Sequence, residues 1–113
     1  MHSDSLLDAA ATAVANPARR QLIEHLATGQ TSVSTLAELL DVTLPAVHKQ
    51  LGILEHAGIV TRHKTGRVVT VSLVPGSLAP LQEWGLRTQL FWTGHLDRFA
   101  AHVEGPRAGG VPS

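Results

Sequence analysis

The chain has 113 residues, 43% of them hydrophobic and 16% charged, with 9 Lys+Arg against 9 Asp+Glu and no cysteine. That length suits one domain, and the composition is apolar enough for a core and too weakly charged for a disordered chain. The absence of cysteine excludes a disulfide scaffold, a thiolate metal site and a catalytic thiol, and no apolar run approaches the ~20 residues of a membrane span. Leu7, Ala10, Ala11 and Val14 recur at helical spacing and predict a first helix over residues 4–15. Asn16-Pro17 interrupts it. Asn is a good cap and Pro suits a first helical position, so a second helix is expected from here to about Thr28, with Leu22, Ile23 and Leu26 inward and Gly29 beyond its end.

A third helix is expected from Ser32 to Leu40, with Ser32 as cap and Leu36, Leu39 and Leu40 as its apolar stripe. After Asp41-Val42-Thr43 a fourth begins, capped by Thr43. Leu44, Val47, Leu51 and Leu54 repeat at three and four and are expected to face inward, and Ala57-Gly58 closes the helix. Two helices joined by three residues are the layout of a helix-turn-helix, although any corner of two helices looks similar. The period then changes. Ile59–His63 and Val68–Leu73 are rich in β-branched residues, and Lys64-Thr65-Gly66-Arg67 between them supplies a glycine for a tight turn, so a β-hairpin with a basic tip is expected. A last helix is expected over about 78–103, ended by Gly105-Pro106. Its Leu81, Trp84, Leu86, Leu90, Phe91, Trp92, Leu96, Phe99 and Val103 exceed one apolar stripe, which points to an interface between two copies. Leu7, Trp84, Phe91, Trp92, Leu96 and Phe99 are its expected contacts. Residues 1–104 are thus expected to form one domain, followed by a disordered Gly/Pro/Ser-rich tail over 105–113.

Charge is unevenly spread. Between Pro45 and Ser72 stand Lys49, Arg62, Lys64 and Arg67 against Glu55 alone, a local excess of +3 in a chain of zero net charge. His48, His56 and His63 lie in the same stretch. Local field, not total charge, decides what a surface attracts, and this one suits a polyanion.

Helices, a helix-turn-helix, a basic-tipped hairpin and a terminal helix, in that order, make a winged helix. The chain resembles the arsenical-resistance repressor (ArsR) family of bacterial dimeric winged-helix regulators. The resemblance rests on Asn16-Pro17-Ala18-Arg19-Arg20, on Ser32-Val33-x-x-Leu36-Ala37 and on the wing Lys64-x-Gly66-Arg67. Above all it rests on the run from Leu44-Pro45-Ala46-Val47-His48-Lys49-Gln50-Leu51 to Ala57-Gly58-Ile59-Val60. It implies a mainly α fold of order α-α-α-α-β-β-α with a β-hairpin, dimerising through terminal helices, and a repressor that binds double-stranded DNA at a pseudo-palindromic operator.

The family's metal sites are matched poorly. Its Cys-x-Cys pair falls on Ser32 and Ser34, whose neutral hydroxyls are poor ligands for a soft metal. Its second site finds only His95-x-Asp97 and His102-x-Glu104, wrong in order and spacing, so no metal and no cofactor is expected. A metal-responsive repressor using these His, Asp and Glu residues is the alternative.

With the fourth helix's apolar residues inward, Pro45, Ala46, His48, Lys49 and Gln50 form the opposite face. Short residues let the backbone approach a major groove, and longer polar ones reach base edges and phosphates. Gln50 suits a bidentate pair with adenine, Lys49 a guanine or phosphate, and the methyl groups of Thr43 or Ala46 a thymine. Lys64 and Arg67 on the wing, with Arg62 as a backbone clamp, are expected on phosphates or in the minor groove. Four cations per subunit would give a dimer about eight phosphate contacts and a log–log salt slope near −7. Protonation of His48 and His63 would tighten binding between about pH 7.5 and 6.

Two other classes compete with this one. An enzyme lacks support: there is no Gly-x-Ser-x-Gly, phosphate loop or His-Glu-x-x-His, and the neighbours Glu24-His25 and Glu55-His56 do not face each other on a helix. A protein-interaction winged helix would present an apolar patch where this chain presents His48, Lys49, Gln50 and a basic wing. The opening MHSDSLLDAA has no basic-then-apolar plan of a signal peptide, so a cytoplasmic protein with no membrane partner is expected.

Overall fold

The computed structural model describes residues 3–89. The chain divides into two compact units, Met1–Leu81 and Gln82–Ser113. In the first unit, α1 (Ser3–Val14) is followed by α2 (Pro17–Leu26), which starts where the Asn16-Pro17 signal places it. Asn16 is extended, at φ −103° and ψ 129°, and its Oδ1 accepts the Ala18 N–H at 2.8 Å and the Arg19 N–H at 3.2 Å. Two orphan amides of the first turn are thereby satisfied. Asn16→Ala is expected to cost about 1 kcal/mol, read as a lower urea midpoint at unchanged slope.

Helix α3 spans Val33–Leu40 and α4 spans Leu44–His56. Ser32 caps α3, its Oγ accepting the Thr35 N–H at 3.1 Å, and Thr43 caps α4, its Oγ1 accepting the Ala46 N–H at 3.2 Å. The turn between them is closed by Asp41 in the left-handed region (φ 54°, ψ 50°), with the Val42 N–H donating to Ala37 O at 3.0 Å. Aspartate is one of the few residues with a side chain that adopts this conformation readily.

The hairpin is β2 (Val60–Thr65) paired antiparallel with β3 (Val68–Leu73), from Val60↔Leu73 to Thr65↔Val68. Gly66 supplies φ 62° at the two-residue turn, where a β-branched side chain would be strained. Thr31–Ser32 add a third strand, β1, so the sheet order is β1-β3-β2, with Thr31↔Val71 and Ser32↔Thr70. This strand is absent from the sequence-based expectation: Ser32 serves at once as the last strand residue and the cap of α3.

The core unites Leu22, Ile23 and Leu26 of α2, Val33, Leu36 and Ala37 of α3, Val47, Leu51 and Leu54 of α4, and Ile59, Val60 and Val71. Two expected core residues lie elsewhere. Leu44 is 47% exposed and Leu39 58% exposed. Leu44 is the first residue of α4, one turn before Val47, and the periodicity that buries Val47 runs off the end of the core there. On α3 the inward stripe is Val33, Leu36 and Ala37, which leaves Leu39 outside.

Residues 79–89 are helical, as the expectation of a last helix requires. Trp84 and Leu86 on this segment are exposed, and Leu7 on α1 is half-buried. Phe91, Trp92, Leu96 and Phe99 lie outside the described residues, as do His95, Asp97, His102 and Glu104.

Candidate nucleic-acid interface

Helix α4 buries Val47, Leu51 and Leu54, and this fixes what it leaves outside. Pro45, Ala46 and Lys49 are exposed, His48 and Gln50 are half-buried, and the capping Thr43 is exposed just before the first turn. The structure therefore places the whole expected reading set on or beside one helix. Leu44 joins it, because its exposure sets an apolar side chain at the start of that helix, beside Thr43 and Pro45. The sequence concealed this, since a leucine in phase with a buried stripe reads as core.

On the wing, Lys64 and Arg67 flank the Gly66 turn and are exposed, as is His63. Arg62 behaves differently from the other wing cations. Its Nη2 and Nε donate to Glu55 Oε1 at 2.7 and 3.3 Å, and its Nη1 lies 3.1 Å from His48 Nδ1. The side chain crosses α4 over Gly52, where a Cβ would stand 3.9 Å from Nη2. A wing residue expected as a backbone clamp is thus tied to α4. The lone carboxylate of the basic stretch explains this, because it lies on α4 within reach of β2. Among the described residues this is the one ion pair, so Lys49, Lys64 and Arg67 keep their charge unmatched.

The Arg62 hydrogen bond holds the Glu55 carboxyl below its ordinary 4.5. A depressed acid stabilises the fold once the unfolded carboxyl is ionised, and that contribution fades as pH falls through the folded value. The stability gap between wild type and Glu55→Gln is therefore expected to be constant above about pH 5.5 and to shrink below about pH 4.5, measured by urea unfolding across pH. A gap independent of pH down to 3 would mean that the pair adds nothing beyond the shape of the side chain.

Gln50 is also engaged. Arg19 of α2 donates from Nη1 to Gln50 Oε1 at 3.1 Å, while its Nε and Nη2 donate to Ala13 O at 2.8 Å and Thr12 O at 3.0 Å. No cluster of three or more His, Cys, Asp or Glu residues occurs among the described residues. None of the described helices is long and apolar enough to cross a membrane.

A helix-turn-helix whose second helix carries exposed polar residues, followed by a basic hairpin, defines a winged helix-turn-helix DNA-binding protein. The comparisons agree. Residues 14–63 match a family described as a helix-turn-helix domain. The HTH-type transcriptional regulator Rv2034 of Mycobacterium tuberculosis is 36% identical over 86% of this chain and 88% of its own length. The biofilm growth-associated repressor of Agrobacterium fabrum is 37% identical over 62% of this chain and 60% of its own. The crystal structure of the ArsR family transcriptional regulator RHA00566 superposes with a TM-score of 0.71 at 30% identity, covering 82% of this chain and 95% of that one. The chain belongs to the ArsR family of winged helix-turn-helix transcriptional regulators. It is a DNA-binding regulator and not an enzyme.

Proposed function

We propose that the chain is a cytoplasmic homodimeric repressor of its own or a neighbouring promoter, and that it is released from DNA by something other than a metal ion. Its two copies of α4 would enter successive major grooves of a pseudo-palindromic operator, about one helical turn apart. The observation that carries this reading is the set of three exposed cations, Lys49 on α4 with Lys64 and Arg67 on the wing, around a single acid that Arg62 already neutralises. Trp84 and Leu86, exposed on the last described helix, support pairing of two copies, as do the aromatic residues that follow them in sequence. The departure of Ser32 and Ser34 from the family's thiolate pair supports release without a metal. The name of the Agrobacterium relative supports repression rather than activation.

Because Arg62 is paired, a dimer offers about six phosphate contacts rather than eight, and a log–log salt slope near −5. The test is fluorescence anisotropy on the DNA upstream of the gene against a scrambled duplex, across a salt series, with chelator and with zinc. Preference for the upstream duplex, indifferent to zinc and chelator, is expected. Release by zinc would make the protein metal-responsive, and equal weak binding to both duplexes would place the operator elsewhere. In the same assay Arg67→Ala is expected to weaken binding to all sequences alike and to flatten the slope by about 2 per dimer. A change confined to sequence preference would show that Arg67 reads bases.

A further inference from the structure

We propose that two arginines outside the recognition helix, Arg19 and Arg62, bias the reading side chains Gln50 and His48 toward hydrogen-bond donation, so that the protein selects guanine where the Gln50 side chain by itself would suit adenine. This rests on reading α4 as the helix that enters the groove.

Arg19 is held by three acceptors at once: Ala13 O at 2.8 Å, Thr12 O at 3.0 Å and Gln50 Oε1 at 3.1 Å. The first two are main-chain carbonyls at the end of α1, so the planar guanidinium arrives at Gln50 already oriented. A guanidinium has donors only, and it therefore dictates which end of the amide faces it. The oxygen turns inward to Arg19, and the Gln50 NH2, which has no partner among the described residues, is the end left for a ligand. A bidentate pair with adenine needs that oxygen to accept from the N6 amino group while the NH2 donates to N7, whereas Arg19 takes one of its two lone pairs and draws it toward α2, which weakens it as an acceptor for a base.

His48 is governed in the same way. Arg62 donates from Nη1 toward Nδ1 at 3.1 Å, while its Nε and Nη2 are fixed on Glu55. Since arginine cannot accept, the neutral tautomer that fits this contact accepts at Nδ1 and carries its hydrogen on Nε2. Lys49 between them offers donors only. Residues 48–50 thus present mainly N–H groups, with the one amide oxygen among them engaged by Arg19. Among major-groove base edges, guanine shows two acceptors, O6 and N7, and no donor. Adenine sets an amino group beside its N7, cytosine shows an amino group, and thymine has one acceptor beside a methyl. Guanine is the match. Arg19 and Arg62 are positioning residues: they touch the reading side chains and need not touch DNA.

The experiment is selection of binding sites from a randomised duplex library by wild type, Gln50→Glu and Arg19→Met, followed by 7-deazaguanine at each selected guanine. Wild type is expected to select guanine at a position in each half-site that loses about tenfold affinity when N7 is removed. In Gln50→Glu one carboxylate oxygen keeps the bond to Arg19 and the other offers an acceptor, so that position moves to cytosine. Arg19→Met releases the amide and moves it toward adenine, a change of base identity that mere loss of stability does not produce. Adenine selected by wild type, or guanine retained by both variants, overturns the proposal. If Arg19→Met fails to fold, Gln50→Glu decides alone: cytosine supports the proposal and retained guanine overturns it. If no sequence is enriched at all, the reading of α4 as the base-reading helix falls first and takes the proposal with it.

Discussion

Leu51→Ala is expected to lower the stability of the protein by about 3 kcal/mol, most of the margin of a small domain. Leu51 is fully buried on α4, between Val47 and Leu54, in the one core that joins α2, α3 and the sheet. Shortening it deletes three carbons where neighbours from several elements converge, and helices anchored at both ends cannot move in to fill the space. The loss adds transfer energy to the cost of a void. Urea unfolding followed by circular dichroism measures it, as a fall in midpoint at unchanged slope. A loss under about 1 kcal/mol would mean that the core collapses onto the smaller side chain. DNA affinity at low temperature should change far less than stability, because Leu51 is buried in the core and not among the exposed residues of α4.

The opposite pattern is expected when both wing cations are reversed. Lys64→Glu with Arg67→Glu should weaken DNA binding at least about a hundredfold near 100 mM salt while shifting stability by less than about 0.5 kcal/mol. Both residues are exposed on either side of the Gly66 turn, and neither makes an ion pair among the described residues, so the fold does not depend on them. A dimer would lose four phosphate contacts and gain four repulsions in their place. Anisotropy on one duplex across salt distinguishes the outcomes. Unchanged affinity would show that the wing stays off the DNA, and would favour a winged helix that docks on protein.

Much of this architecture was legible because it is local. Asn16-Pro17 and Thr43 announce two helix starts through chemistry completed within three residues, and the Val47, Leu51 and Leu54 spacing identifies the buried face of α4. Gly66 marks the hairpin turn for the same reason. What escaped is non-local or terminal. A strand of two residues has no alternation to detect, and β1 exists only because β3 offers it an edge. Leu44 is in phase with the core but lies past its end. The bonds from Arg19 to Gln50 and from Arg62 to His48 and Glu55 join separate elements, and no spacing rule along one helix anticipates them. The exposed polar residues of α4 could be named from the sequence, but not which of their atoms are already bonded within the fold.

The two edges of β3 differ greatly in the length of chain that closes each of them. The hairpin edge closes over the two residues between Thr65 and Val68, whereas Thr31 meets Val71 forty positions away. Closing the longer loop costs more entropy and yields only two residue pairs, so the hairpin assembles early and β1 joins late. The order reverses on opening: Thr31–Ser32 are the first part of the sheet to let go. Because Ser32 also caps α3, release of this short strand frees the start of the first helix of the helix-turn-helix before the wing itself comes apart.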